Sequence, residues 1–199
     1  MNDSNLPNRR RVALMGLGLA GVAVAGPAFN VSPAYAADGD YSEPEVIAAA
    51  NRFFGSGARG VADAVARVFR DNGRPVGFIQ GQEESAAAGV GVRYGEGRLH
   101  LLHRPATTRV FWQGPSVGFD AGGNASKSFT LIYGMSSPDQ VFRRFPGVEG
   151  SAYFVGGVGV NYQRAENITL APMRLGVGLR LGANIGYLAY TRHRHILPV

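Results

Sequence analysis

Apolar positions change their spacing once along the chain, close to Pro75. Before it, Val46, Ile47, Ala50, Phe53 and Phe54 recur at i, i+1, i+4, i+7 and i+8. Val61, Ala64, Val65, Val68 and Phe69 repeat such a stripe, so two amphipathic helices are predicted. Ser42 followed by Glu45 forms a capping box, with Pro44 in the first turn, where its missing N–H costs nothing. Gly55-Ser56-Gly57 stops the first helix. Arg67 and Arg70 sit near the end of the second, where the helix dipole favours cations, and Asn72-Gly73 ends it.

After Pro75 the period falls from 3.6 to 2. Strands are predicted at about 76–83, 86–94, 98–103, 108–113, 117–121, 126–134, 151–162, 167–172 and 174–190. Turn signals lie between them at Gly95-Glu96-Gly97, Gly114-Pro115, Gly122-Gly123-Asn124 and Glu166-Asn167. One short helix interrupts, with Ser137 as N-cap, Pro138 in the first position and Gln140 at the capping-box position, ending near Phe145-Pro146-Gly147. Residues 174–187 alternate strictly: Arg174, Gly176, Gly178, Arg180, Gly182, Asn184 and Gly186 on one face, and Leu175, Val177, Leu179, Leu181, Ala183, Ile185 and Tyr187 on the other. At about 3.3 Å per residue that stretch is too long for a straight strand in a small domain, so it is expected to curl or to close a barrel. The fold class expected is mainly β (α+β): a small antiparallel β-barrel with two N-terminal amphipathic helices and one short inserted helix.

The residues ahead of this domain change where it is expected to work. Arg9, Arg10 and Arg11 precede an uncharged run over residues 12–24; Gly26 and Pro27 break it, and Ala34-Tyr35-Ala36 offers a small-x-small cleavage site. The run is well short of the roughly 20 residues a membrane-spanning helix needs. Residues 1–36 are therefore expected to be a cleavable signal peptide, cut between Ala36 and Ala37, and residues 37–199 a single periplasmic domain. Both the Sec and the twin-arginine routes fit the basic region. Removing residues 1–36 takes away three of the 20 basic and one of the 14 acidic side chains, leaving a net charge of +4 with Lys127 as the only lysine. Arginine pairs bidentately with phosphate, which suits contact with anionic envelope material, whereas the compartment and the lack of a basic docking helix argue against nucleic acid. The chain has no cysteine, so a hydrophobic core must hold the exported fold without disulfides.

Several strings look catalytic and are not in the required context. Gly114-Pro115-Ser116-Val117-Gly118 reads as a nucleophile elbow, with Asp139 and His193 following in order, but strands are expected on both sides of it rather than a strand and a helix. Gly55-Ser56-Gly57-Ala58-Arg59-Gly60 reads as a dinucleotide fingerprint, yet it follows a helix. His100/His103 and His193/His195 lack a completing ligand and read as a surface pair and a loose basic tail. Glu83 and Glu84 are adjacent, so on a strand they face opposite ways and cannot act as a paired acid and base. No catalytic residue, metal site or cofactor is assigned. Trp112, Arg174, Arg180 and Asn184 are taken as a tentative contact surface, the arginines and Asn184 on the glycine-rich face.

Four strings carry a family resemblance: Val110 to Asp120, Gly150 to Gly157, Leu170 to Arg174 and Gly178 to Tyr187. They resemble the EipA (envelope integrity protein A) family, over roughly residues 41–191. The resemblance implies a periplasmic protein of Gram-negative bacteria with a small β-barrel fold that supports cell-envelope integrity, and it brings no catalytic residues. The function expected is a non-enzymatic binding or scaffold module contacting an envelope protein or glycolipid. Two alternatives follow it: a glycine-rich lipid-binding domain making peripheral contact with anionic membrane lipid, and an outer-membrane β-barrel. The last is disfavoured by two amphipathic helices and by strands mostly shorter than a bilayer requires.

Overall fold

A computed structural model describes residues 40–55, 58–120, 126–175 and 186–195, with backbone alone over 85–90 and 116–120. Helix α1 spans Glu43–Phe54 and α2 spans Val61–Asn72. The backbone N–H of Ser42 donates to the Glu45 carboxylate at 2.8 Å, so the capping box forms as the sequence suggests. The other end of α1 is closed by Lys127, whose ammonium donates to the Phe53 carbonyl at 2.7 Å, a cation on the negative end of the dipole. Gly73, at φ 76°, ends α2 in a conformation that suits glycine.

Nine strands among the described residues form one antiparallel sheet: β1 Gly77–Leu101, β2 Thr108–Asp120, β3 Ser126–Tyr133, β4 Arg144–Pro146, β5 Tyr153–Val155, β6 Val158–Val160, β7 Gln163–Ala165, β8 Ile168–Leu175 and β9 Tyr187–Thr191. Their order is β4-β9-β2-β1-β3-β8-β6-β5, with β7 also paired to β8. An isolated bridge between Gly147 and Gln163, and the Val148 N–H donating to the Tyr162 carbonyl at 2.8 Å, bring the chain after β4 onto β7. The sheet is barrel-like.

Alternation along the strands separates two apolar clusters. Ile79, Ile132, Ile168, Leu170 and Leu188 point to the enclosed face with Phe145, Leu99 and Val110. Phe78, Phe129, Leu131, Ala171 and Met173 point the other way, where Val46, Ala50, Val61, Val65 and Val68 of the two helices cover them. Each such aliphatic side chain contributes about 1.5–3 kcal/mol on full burial, which is what holds two short helices on the sheet. The Tyr162 hydroxyl adds a polar tie, donating to Asp71 of α2 at 2.7 Å.

The strand boundaries differ from those the sequence suggested, and in three places the reason is a glycine. Residues 76–103 were expected as three pieces, with a turn at Gly95-Glu96-Gly97; β1 instead runs unbroken. A Cβ on Gly95 would collide with the Trp112 ring, and one on Gly97 with the Gln80 carbonyl, so these glycines admit close neighbours to a coiled strand. Gly114-Pro115 likewise lies inside β2, where Gly114 meets the Tyr187 carbonyl. β9 pairs with β2 only over Phe111–Gln113, so Pro115 sits beyond that ladder. Conversely, the single strand expected over 151–162 is a hairpin, because Gly156 and Gly157 both take positive φ, at 55° and 85°. The inserted helix is one turn of 3-10 helix over Pro138–Val141, and the stretch near Phe145 is β4 instead, its ring buried against the enclosed face. β8 continues through Met173 to Leu175, and the alternation expected beyond it, at residues 176–185, lies outside the described residues.

Candidate functional site

The enclosed face carries a polar cluster at one end and opens into a groove at the other. Ile79, Gly81 and Glu83 share one phase of β1, so Glu83 follows Ile79 to the inside and is 3% exposed. Arg174 is on the inward phase of β8, with Ile168 and Leu170, and is also 3% exposed. Its guanidinium donates to both Glu83 oxygens, Nε to Oε1 at 2.9 Å and Nη2 to Oε2 at 3.2 Å, the fork geometry that arginine suits. The remaining Nη1 donates to Asn161 Oδ1 at 2.9 Å. Arg93 adds a second cation 3.0 Å from Glu83 Oε1, and Trp112 Nε1 donates to Oε2 at 3.0 Å. Burial alone would push the Glu83 carboxyl up; Arg174 and Arg93, with the hydrogen bonds from Arg174 and Trp112, outweigh it and hold the group below its ordinary value. A carboxylate held this way is ionised and fully engaged, and is a link between strands rather than an acid or a base.

Seven residues back along β1 from Glu83, the sheet ends in a groove of about 680 Å³. Val76, Leu101, Leu102 and Met135 line it, with His103 and Arg104 beside them. Leu101 and Met135 also belong to the enclosed cluster and Leu102 to the helix-side cluster, so the groove opens where both cores reach the surface. His103 holds φ 61°, uncommon for a residue with a Cβ, and the Arg104 N–H closes the turn onto the Leu101 carbonyl at 3.2 Å.

The tentative contact surface is not brought together. Trp112, 3% exposed, packs beside Tyr190 at 5.8 Å and on Gly95, and Arg174 is consumed by Glu83 and Asn161; neither reaches solvent. Arg174 is buried because the even-numbered face of β8 turns inward, where a polar face was expected to be wet, and Trp112 is buried because its phase of β2 faces the same interior. Arg180 and Asn184 lie outside the described residues. Glu83 and Glu84 do face opposite ways, one buried and one exposed.

The four histidines part company. His100 is half-buried and stacked on Phe78 at 4.7 Å, so it is no surface residue, while His103 stands at the groove. In the tail, Arg192 pairs with Asp139 at 2.7 Å and Arg194 with Glu96 at 3.3 Å, both on the exposed surface. Asp139 thus pairs with an arginine and not with His193. Sequence reasoning passed over Arg93, Asn161 and the groove, and weighed Glu83 only against its neighbour Glu84. A charge on the inward phase of β1, matched by one on the inward phase of β8, was the available signal for the first; nothing in the local pattern marks the groove, which two distant loops build.

An antiparallel barrel-like domain with two helices on one side and an interior filled by side chains is the class these features define. The model of the Envelope integrity protein A family matches residues 39–199, and the chain belongs to that family. It is similar to a β-barrel-like, uncharacterized protein from Brucella abortus of known crystal structure, with 42% identity and a TM-score of 0.74, covering 81% of this chain and 100% of that one. No curated protein matches it. Among the described residues, no helix is long and apolar enough to cross a membrane.

Proposed function

We propose that this protein is exported to the periplasm, loses residues 1–36, and supports envelope integrity as a non-enzymatic binding or scaffold module. The groove supports the binding reading: it is an opening of about 680 Å³, a size in the range that accepts a small ligand or a partner's side chains. Export is supported by the basic, apolar and small-x-small order of residues 9–36 and by a family match that begins at residue 39, just past the expected cut. The non-enzymatic part is supported by Glu83, the deeply buried carboxylate, being occupied by Arg174, Arg93 and Trp112.

The test joins N-terminal sequencing with complementation. Protein recovered from the periplasm should begin at Ala37. The full chain should restore resistance to envelope stress in a strain lacking the gene, and a version without residues 2–36 should not. An intact Met1 on cytosolic protein, or rescue by the leaderless version, would overturn the reading.

A further inference from the structure

The outer face of β2 carries a buried polar group that the fold leaves unmatched. Trp112 points inward, so Gln113, one residue on, points away from the interior, opposite Tyr94 of β1 and Ala189 of β9. Gln113 is nevertheless only 3% exposed, and neither Oε1 nor Nε2 of its amide has a hydrogen-bond partner. A buried amide left this way is costly, which calls for a group that answers both its donor and its acceptor. Gln113 lines a pocket of about 80 Å³ that shares no residue with the groove; its rim holds the exposed Gln82 and Glu84 of β1 and the half-buried Glu96 and Phe111. Arg194 closes one wall, donating to Glu96 Oε2 at 3.3 Å, and Arg109 donates to the same oxygen at 3.1 Å. Glu84 and Glu96 are thus balanced by two arginines, and the pocket favours an ion of neither sign.

We propose that this pocket binds the edge of one neutral sugar ring, with a vicinal pair of hydroxyls entering to meet Gln113. One hydroxyl donates to Oε1 and its neighbour accepts from Nε2; an ammonium, which only donates, or a carboxylate, which only accepts, cannot do both. A space of about 80 Å³ admits such a pair and not a whole ring. The rest of the ring therefore lies at the rim, where Gln82, Glu84 and Glu96 present planar amide and carboxylate groups to further hydroxyls. The proposal goes beyond the binding-module reading by naming a second place on the molecule and the chemistry of its ligand.

The methyl glycosides of glucose, mannose and galactose, which between them offer trans and cis vicinal pairs, are titrated into the purified protein while the side-chain amide NMR signals of Gln113 are followed. At least one should give saturable shifts centred on Gln113 and Glu96. Gln113→Leu, close to glutamine in volume, should weaken that binding by about tenfold or more, the loss of two hydrogen bonds. Its melting temperature should hold or rise, because no unmatched amide stays buried. Inorganic phosphate, ethylammonium and cyclohexanol stand for an anion, a cation and a ring with a single hydroxyl, and each should shift Gln113 far less. No saturable shift with any of the three glycosides, equal binding of any of the three controls, or undiminished binding by Gln113→Leu would each overturn the proposal. So would a fall in that variant's melting temperature, which would mean that the amide is matched within the fold. None of these outcomes touches the export and complementation results, by which the module reading stands or falls separately.

Discussion

The two ends of the enclosed face use arginine to opposite effect. At the β1–β8 end, two arginines and a tryptophan surround one carboxylate out of contact with water. At the groove end, Arg104 and His103 stand exposed beside Leu101, Leu102 and Met135, which are themselves nearly buried. Desolvation makes the difference: a buried charge must be matched on the spot or it is ruinous, so it becomes structural, whereas an exposed cation is hydrated at little cost and remains available to a ligand. In this fold a charged side chain on an inward phase is therefore evidence of architecture, and the site has to be sought where strands end.

The largest expected effect breaks the buried end. Arg174→Met leaves the Glu83 carboxylate short of its bidentate partner and should cost ~3–5 kcal/mol in denaturant unfolding. Glu83→Leu combined with Arg174→Met should cost clearly less than the two single changes summed, because the double variant leaves no buried carboxylate to be matched. Additive losses would mean that the pair is not a unit.

A smaller effect tests the close packing that lets Trp112 reach Glu83. Trp112→Phe keeps most of the ring but removes the 3.0 Å hydrogen bond, and should cost ~1–3 kcal/mol. Gly95→Ala drives a methyl into the same ring from below and should lie in a similar range, ~1–3 kcal/mol, with the Trp112 fluorescence altered. If Gly95→Ala were neutral, the glycine would not be there for the tryptophan.

The remaining effect appears only in acid. Burial, with Arg98 nearby, pushes the His100 imidazole down from 6.5 to about 4. Its folded value is thus below the unfolded one, and the unfolded chain takes up the proton first. The stability linked to His100 is complete above pH 6.5 and is lost as the pH falls towards about 4. His100→Phe preserves the stack on Phe78 and should flatten the melting temperature between pH 7 and about pH 5, measured by circular dichroism. Glu83, held below its ordinary value, loses its contribution only in more acidic solution, so the two windows are separable.

Much of the fold was legible in short stretches. The 3.6-residue stripes and the Ser42 and Gly73 caps located both helices, and Glu166-Asn167 marked a two-residue turn between β7 and β8. Glycine was the ambiguous letter. Gly95, Gly97 and Gly114 looked like turns and are close approaches inside strands, while Gly156-Gly157 looked like strand and is a hairpin. A missing Cβ allows both a positive φ and a close neighbour, and only the neighbour tells which is in use. The candidate site was far less legible, because the groove is assembled from Val76, residues 101–108 and residues 135–138, and local periodicity carries no information about which loops meet.

By itself the sequence determined the mainly β class of fold with its two helices, the family and the alternation along the longer strands, since these follow from spacing, capping and side-chain volume read over a few residues. The tertiary structure decided which phase of each strand faces inward, and with it the roles of Trp112 and Arg174. Alternation fixes two faces but not which one the sheet will enclose; that choice depends on curvature and on where the helices pack, and both arise from contacts between residues far apart in the chain.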